Sequence, residues 1–434
     1  MINTRQDHDY WDPARKGFVT NYPNFPHWKR LTPAQIDRGP LNIYLHTPFC
    51  IQRCSYCYYK TINLRGSDKQ ERMDRYVNAL CREIELGAQR YDLKKRRVIS
   101  IYFGGGTPSL LHEKQIEQIG RALHDNFTLT DPFDSAQGRP EFTMEGEPVT
   151  LTKAKADMML AIKVNRISMG VQSFDDEIIK ASHRLDDEKK ALRAIDLVKQ
   201  TGVSFNIDLM SGLAGETMPK WEHSVQRAIE SGTTSVTIYK TELYSNTEYY
   251  KNIKNQTLVL PSDDEELRYM QYAMQQLQQA DYVPWSFYNY TQRGGPVHVH
   301  SPSIFRGDDC AAFGVSSFGR YGDWLYQNTN DEEKYIQQVE AGELPVQRGY
   351  QLTGLDNIVR DVVLCMKLVS LDLRWFQHKH GFKLESLCAD TLQKLQADDF
   401  ITLSENEIRL TEKGMLYGDY AGKSLVRALL ACYN

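Results

Sequence analysis

Three cysteines share the stretch Cys50-Ile51-Gln52-Arg53-Cys54-Ser55-Tyr56-Cys57, which follows the apolar run Asn42-Ile43-Tyr44-Leu45-His46. The run predicts a β-strand, so the cysteines lie on the loop that leaves its carboxyl end. At spacings of four and three residues, the three thiolates can turn toward one centre. A [4Fe–4S] cluster normally takes four thiolates, and a set of three leaves one iron open for another ligand. The stretch therefore favours a catalytic iron–sulfur cluster as the metal site.

Zinc is the alternative metal for a cysteine loop. A Cys/His zinc site usually shows a second pair of ligands at short spacing, and neither Cys-x2-Cys nor His-x3-His follows this loop. We therefore expect the cluster rather than zinc. Five further cysteines stand apart in apolar or periodic contexts and are expected to be small buried side chains: Cys81, Cys310, Cys365, Cys388 and Cys432.

Composition places the chain among ordinary globular enzymes. Its 434 residues are 41% hydrophobic and 25% charged, and the net charge is −4. This charge gives no reason to expect nucleic acid as a partner. The sequence shows no signal peptide and no apolar segment long enough to span a bilayer, so we expect a cytoplasmic protein.

The chain divides into four predicted parts. Residues 1–40 carry prolines among aromatic residues and predict an extended arm that packs on the main domain. Residues 41–250 alternate strands with helices, residues 251–330 extend this domain on the substrate side, and residues 331–434 are mostly helical. The predicted strands of the second part are Asn42–His46, Val98–Phe103, Glu141–Glu145, Arg166–Val171, Ser204–Leu209 and Ser235–Leu243. The predicted helices between them are Arg72–Tyr91, Lys114–Asn126, Thr152–Ala161, Asp186–Thr201 and Trp221–Ser231.

This alternation predicts an α/β fold, a partial (β/α)6 barrel with helices outside a parallel sheet. A helix near Asp263–Ala280 follows the barrel. In the last part, Phe400-Ile401-Thr402 and Ile408-Arg409-Leu410 predict a small hairpin among helices, which suggests a winged-helix-like domain. We interpret that domain as a lid or packing domain rather than a DNA-binding one, because it has no basic surplus.

Polar residues follow the other predicted strands, at the edge where the cysteine loop also lies. Glu145, Gln172 and Asp208 stand at or near strand ends, and Arg184 comes a dozen residues after the fourth. A helix N-cap or turn position would explain Glu145 and Asp208 equally well, and a surface charge would explain Arg184. Together they offer an Arg for a carboxylate, polar groups for a ribose and anionic partners for a cation.

The Cys-x3-Cys-x2-Cys spacing with Tyr56 before the last cysteine resembles the radical S-adenosylmethionine superfamily. Three further stretches resemble its oxygen-independent coproporphyrinogen III oxidase family: Tyr44–Cys50, Asn165–Phe174 and Phe313–Ser317. Ile408–Gly414 resembles that family's terminal domain.

The resemblance implies a radical S-adenosylmethionine barrel, a [4Fe–4S] cluster and one or two S-adenosylmethionine molecules. It implies Cys50, Cys54, Cys57 and Glu145 as the catalytic set, with the three cysteines as metal ligands. It also implies that Gly104, Gly105, Gly106 and Thr107, which end the second strand, hold the methionine end of the cofactor. Its other implied cofactor residues are Tyr44, Tyr56, Glu145, Gln172, Arg184 and Asp208, with Thr241 and Phe318 at a second cofactor site.

Two departures from the family pattern bear on the substrate. The oxidase follows its third cluster cysteine with Gly-Cys, and this chain has Tyr58-Tyr59-Lys60. The heme-chaperone branch carries His-Asn-x-x-Tyr-Trp, and the corresponding run here is His300-Ser301-Pro302-Ser303-Ile304-Phe305. A planar substrate could stack beside Tyr58 and Tyr59, although packing within the loop explains them equally well.

Three functions follow as hypotheses. In the first, a 5′-deoxyadenosyl radical starts methyl transfer or carbon–carbon bond formation on a conjugated small molecule with a second S-adenosylmethionine; the sequence slightly favours this one. In the second, the radical starts oxidative decarboxylation of tetrapyrrole propionates. In the third, the protein carries heme without turnover. Either enzyme needs an electron donor such as flavodoxin or ferredoxin.

Overall fold

The predicted strands form the centre of a large mixed sheet. A computed structural model of the protein describes residues 10–14, 19, 22–31, 33, 39–64, 66–129 and 139–433. The strands are β1 (Leu41–Thr47), β2 (Phe49–Cys50), β3 (Ile62–Asn63), β4 (Val98–Gly105), β5 (Glu141–Gly146), β6 (Arg166–Gln172), β7 (Ser204–Ser211), β8 (Ser235–Lys240), β9 (Tyr282–Ser286), β10 (Asn289–Gln292), β11 (Asp309–Phe313), β12 (Phe318–Tyr321), β13 (Trp324–Asn328), β14 (Val346–Gln351), β15 (Ser370–Asp372), β16 (Ile401–Leu403) and β17 (Glu407–Leu410).

Helices connect most of these strands. They are α1 (Lys69–Arg90), α2 (Glu113–Asn126), α3 (Lys153–Ala161), α4 (Asp176–Ala181), α5 (Glu188–Thr201), α6 (Met218–Glu230), α7 (Glu248–Lys254), α8 (Asp263–Gln279), α9 (His300–Arg306), α10 (Glu332–Glu340), α11 (Gly354–Cys365), α12 (Leu373–His380), α13 (Leu384–Ala397), α14 (Glu412–Leu416) and α15 (Tyr420–Ala431).

The predicted βα units form a parallel block in the order β1-β4-β5-β6-β7-β8. A helix crosses over between successive strands, as parallel pairing requires. The predicted α/β class is confirmed, and the carboxyl ends of these strands lie at one edge. Their starting residues agree closely with the prediction, and the last strand is shorter, because Lys240 rather than Leu243 ends β8.

The sheet is wider than the sequence predicts. Strand β11 joins the free side of β1 in parallel, with Ile43 opposite Ala311. Strands β12, β13 and β14 continue that side in antiparallel pairing, while β10 and β9 extend the other side beyond β8. In the described ranges the sheet has 12 strands. The predicted domain boundary at residue 330 falls within it, since β13 pairs with β14.

Helices cover the parallel strands, which are buried on both faces. In β1, Leu41, Ile43 and Leu45 have no exposed surface, and neither have Tyr76 and Leu80 of α1. Fully burying side chains of this size stabilises a fold by about 1.5–3 kcal/mol each. This core fixes the strand ends at which the candidate site lies.

The described part of the predicted arm packs on the rest of the chain. Trp11 is buried and contacts Tyr22, whose hydroxyl donates to Asp356 at 3.1 Å. Lys29 pairs with Gly349 of β14. Phe18 and much of the remaining arm lie outside the described residues.

The C-terminal region is helical around a small antiparallel sheet. The predicted hairpin is confirmed as β16 and β17, and β15 adds a third strand in the order β15-β17-β16. A buried ion pair, Lys367–Asp419 at 2.7 Å, links the segment before β15 to the start of α15. Among the helices that the structure describes, none combines the length and apolar character needed to cross a membrane.

Candidate active site

The cysteine loop is clamped at the carboxyl end of β1. Strand β2 pairs with β3, with Cys50 opposite Asn63, and this pairing closes the loop at its base. Ser55 donates its amide to the carbonyl of Ser182 at 3.2 Å and accepts from the amide of Tyr249 at 3.1 Å. The loop is therefore fixed from the segments that follow α4 and β8.

Burial and mutual repulsion disfavour ionisation of the three thiols in the metal-free protein. Burial raises the pKa of Cys50 to about 12 and that of Cys57 to about 11, and it raises the pKa of Cys54 as well. Neighbouring cysteines add to the rises at Cys50 and Cys57, so the three sulfurs lie within electrostatic reach of one another. Metal cations bind thiolates and remove this penalty. The group is therefore suited to iron ligation.

The arrangement differs from a site for one metal ion. Within the described ranges, no three His, Cys, Asp or Glu side chains converge as ligands of a single ion. In a cubane cluster each thiolate binds a different iron, so the sulfur atoms lie farther apart than the ligands of a single ion. Three thiolate donors on one loop fit a cluster that takes three protein ligands.

The glycine run at the end of β4 packs tightly against the start of the cysteine loop. Gly105 has φ +114°, and a Cβ there would lie 2.6 Å from the His46 ring. A Cβ on Gly106 would lie 2.5 Å from the carbonyl oxygen of Phe49. Only glycine fits these positions, because a side chain would collide with the loop.

Internal hydrogen bonds use the amides of this run. Gly106 donates to Thr47 at 2.6 Å and Thr107 donates to Phe49 at 2.7 Å, while Gly105 donates to Glu145 at 3.1 Å. The Thr107 hydroxyl lies 3.6 Å from the sulfur of Cys50. The run therefore sets the position of the loop, and its contact with the cofactor stays a prediction.

Glu145 lies near the carboxyl end of β5. We call the space at the carboxyl ends of the parallel strands the mouth of the sheet. The Tyr102 hydroxyl donates to it at 2.6 Å, and Tyr102 stacks on Tyr44 with ring centres 6.2 Å apart. Burial raises the pKa of Glu145 to about 7, and the charge of Asp208 adds to the rise. A bound cation would favour the ionised carboxylates.

Asp208 faces the same space from β7. It accepts from Asn206 at 2.7 Å and Ser168 at 3.3 Å, and burial raises its pKa to about 6. The alternative of a helix N-cap or turn position for Glu145 and Asp208 is wrong. Both residues lie within strands, β5 and β7, and the N-caps of α3 and α6 are Thr152 and Thr217.

Gln172 ends β6 in a left-handed backbone conformation, with φ +70°. Its side-chain Oε1 is buried without a hydrogen-bond partner in the described part of the chain. A buried acceptor usually has a partner, so this oxygen fits a place where a ligand donates.

Arg184 is buried beside the cysteine loop, with 4% of its side chain exposed. Its guanidinium binds Asp186 at 2.6 Å and lies 3.7 Å from the sulfur of Cys54 and 3.4 Å from the Tyr56 hydroxyl. The surface-charge alternative for Arg184 is therefore wrong.

Sequence reasoning missed three residues of this site. Tyr102 binds Glu145, Asp186 binds Arg184, and Glu147 lies 3.6 Å from Arg184. Glu147 and Asp186 each stand two residues from a predicted site residue, and that proximity was the available signal. Tyr102 gave none, because its strand pattern is that of an ordinary core strand.

Thr241 and Phe318 are engaged by the protein itself. The Thr241 hydroxyl donates to the Ser211 carbonyl at 2.9 Å. Phe318 stacks on Phe25 of the arm, with ring centres 5.5 Å apart, and meets Trp28 edge-on. Thr241 is thus hydrogen-bonded within the fold, whereas Phe318 keeps 43% of its surface exposed beside its aromatic partners. The second cofactor site stays a prediction.

Comparison with known proteins agrees with this geometry. Residues 44–228 match the radical SAM superfamily, and residues 356–417 match the HemN C-terminal domain. An oxygen-independent coproporphyrinogen III oxidase from Salmonella typhimurium is 29% identical over 92% of this chain and 87% of its own. The heme chaperone HemW of Bacillus subtilis is 25% identical over 87% of this chain and 96% of its own.

The solved structure of coproporphyrinogen III oxidase (HemN) from Escherichia coli, a radical SAM enzyme, aligns with a TM-score of 0.78 at 25% identity. The alignment covers 94% of this chain and 96% of that one. The chain is thus a radical SAM protein, whose class uses a [4Fe–4S] cluster and S-adenosylmethionine. Within that class it belongs to the oxygen-independent coproporphyrinogen III oxidase-like family, which includes HemW.

Proposed function

We propose that the protein is a radical SAM enzyme that oxidatively decarboxylates propionate side chains of a tetrapyrrole. The observation that supports this most directly is the meeting of Cys50, Cys54 and Cys57 with Arg184 and Glu145 at one strand edge. When bound, the cluster and S-adenosylmethionine supply a carbon-centred radical that removes a hydrogen atom from the substrate. The protein's part is to bind and orient both molecules and to exclude water.

Each side chain has a proposed part in holding the cofactors. The three cysteines bind the cluster, and Arg184 attracts the cofactor carboxylate while Asp186 fixes its orientation. Glu145 and Asp208 provide the negative charge that a sulfonium and an amino group need. Gln172 offers its buried oxygen as an acceptor, and Tyr44 and Tyr56 line the space.

The choice of reaction follows the relatives and the contacts of two residues. The relatives aligned over most of the chain are oxidases and chaperones, and they give no support to the methyl transfer that the sequence favoured. Of the two residues that suggested a second cofactor, Thr241 donates its hydroxyl to the Ser211 carbonyl and Phe318 stacks on Phe25. Decarboxylation removes one hydrogen atom, carbon dioxide and one electron, so the reaction also requires a one-electron acceptor.

Heme transport without turnover is less well supported by the structure. In the run that replaces the chaperone signature, His300 is 5% exposed, lies 2.7 Å from the Ser100 hydroxyl and stacks on Tyr102. A heme iron would have to displace this packing to reach the imidazole.

The test is anaerobic turnover of the reconstituted enzyme with coproporphyrinogen III, a one-electron reductant such as flavodoxin or ferredoxin, a one-electron acceptor, and methyl-labelled S-adenosylmethionine. The proposal predicts vinyl products, carbon dioxide and 5′-deoxyadenosine. Label in the product together with S-adenosylhomocysteine would instead indicate methyl transfer. Stoichiometric heme binding with no turnover would indicate a carrier.

A further inference from the structure

Three tyrosine rings form a continuous stack beside the cysteine loop. Tyr58 stacks on Tyr59 with ring centres 4.4 Å apart and on Tyr244 with ring centres 4.2 Å apart. Two rings at these distances cannot share one face of Tyr58, so they lie on opposite faces. Tyr59 therefore forms one end of the stack and Tyr244 the other. We call these three residues the tyrosine stack.

Hydrogen bonds fix the tyrosine stack relative to the cluster cysteines. Asn246 donates its side-chain amide to the carbonyl of Tyr58 at 2.8 Å. Arg53 donates to the carbonyls of Cys57 at 2.9 Å and Asn246 at 3.2 Å. The segment after β8 is thereby joined to the cysteine loop. A ring placed on the stack would thus have a set position relative to the cluster.

The exposed surface of the stack faces the mouth of the sheet. Tyr58 is 39% exposed, Tyr59 is 48% exposed, and Tyr239 at the end of β8 is 46% exposed. Tyr58 and Tyr59 belong to the loop that leaves β1, and Tyr244 belongs to the segment that leaves β8. The stack therefore lies at the carboxyl ends of these two strands. Tyr58, Tyr59 and Tyr239 thus give the mouth an aromatic wall. The carboxyl groups of Glu145 and Asp208 lie near Tyr239.

Packing alone accounts poorly for this arrangement. Buried tyrosines stabilise a loop by losing contact with water, whereas Tyr59 keeps about half of its surface exposed. Exposed, prearranged aromatic rings beside polar groups are typical of a ligand site.

We propose that the tyrosine stack is the substrate wall, and that one pyrrole ring of the substrate lies face-on against Tyr59. This inference rests on the proposed function and adds a residue that determines specificity. A porphyrinogen is bent at its saturated bridges, so a single pyrrole ring, rather than the whole macrocycle, matches the area of one tyrosine ring. Stacking would then present the propionate of that ring to the reacting centre.

The test compares three variants in the reconstituted holoenzyme. Tyr59→Leu should raise KM for coproporphyrinogen III about ten-fold, the order expected when an aromatic stacking contact is lost. Tyr59→Phe keeps the ring and should stay close to the unmodified enzyme. Tyr433→Leu is the matched control, since Tyr433 is 51% exposed and follows the last helix.

Iron content and S-adenosylmethionine affinity show whether the loop remains intact. If Tyr59→Leu loses iron, Tyr244→Leu provides the deciding variant, because Tyr244 lies outside the cysteine loop and should also raise KM. An unchanged KM in an iron-replete Tyr59→Leu or Tyr244→Leu would overturn the proposal that the stack is the substrate wall. Turnover by the unmodified enzyme would still support the proposed function. If the unmodified enzyme neither binds nor converts the tetrapyrrole, both proposals fail.

Discussion

The guanidinium of Arg184 lies 3.7 Å from the sulfur of Cys54, although 130 residues separate them in the chain. Asp186 binds the same guanidinium through two nitrogens, at 3.1 and 2.6 Å. A buried carboxylate thus holds a positive charge against the cysteine loop. This arrangement lets one side chain neutralise thiolate charge and attract an anionic cofactor group.

Arg184→Ala should weaken S-adenosylmethionine binding by about 1.5–3 kcal/mol, the range for a hydrogen bond to a charged group. The physical reason is the loss of the planar guanidinium, which can donate two parallel hydrogen bonds to one carboxylate. Calorimetric titration of the cluster-loaded protein measures the change. Arg409→Ala, at an exposed arginine of β17, provides the control. Equal affinity of Arg184→Ala and the unmodified protein would exclude Arg184 from the cofactor site.

Glu145 should make the metal-free protein less stable as pH rises. Its pKa is about 7 in the fold against an ordinary 4.5, so the folded state binds more protons than the unfolded state between these values. Stability is then fully retained below pH 4.5 and falls as pH increases toward 7. Glu145→Gln should reduce the loss of unfolding free energy between pH 4.5 and pH 7 by about 1–3 kcal/mol.

Denaturant unfolding of the metal-free protein at a series of pH values measures this slope. Glu405→Gln, at an exposed position, should leave the slope unchanged. A Glu145→Gln slope equal to that of the unmodified protein would mean that Glu145 does not keep its proton in the fold.

Gly105→Ala should destabilise the protein by about 2–5 kcal/mol, the sum of left-handed strain and overpacking. The added Cβ would lie 2.6 Å from both the His46 ring and the Thr47 carbonyl oxygen. Gly202→Ala separates the two causes, because Gly202 has φ +74° and no atom within 4 Å of the added Cβ. It should cost only about 1–2 kcal/mol. Equal losses of unfolding free energy in the two variants would show that the β4 glycines are not held against the loop.

The sequence predicts the parallel block well, because local periodicity determines each βα unit. It does not predict that β11 pairs with β1, because that contact joins residues such as Ile43 and Ala311 across most of the chain. The short strands β9 to β13 alternate too briefly to give a clear pattern. At the site, strand ends located Glu145 and Asp208. The partners Tyr102 and Asp186 required side-chain geometry, which no spacing in the sequence specifies.

The most direct test of the account is the iron content and electron paramagnetic resonance of the anaerobically reconstituted protein. We predict about four irons per chain, a signal from the reduced cluster, and a change in that signal when S-adenosylmethionine is added. Replacing Cys50, Cys54 or Cys57 with Ala should abolish the signal, while Cys432→Ala should retain it, because Cys432 is an exposed thiol outside the loop. The prediction that Cys432 is buried is wrong, because it lies beyond the end of the last helix. Stoichiometric zinc without iron, or a full cluster in Cys54→Ala, would contradict the account.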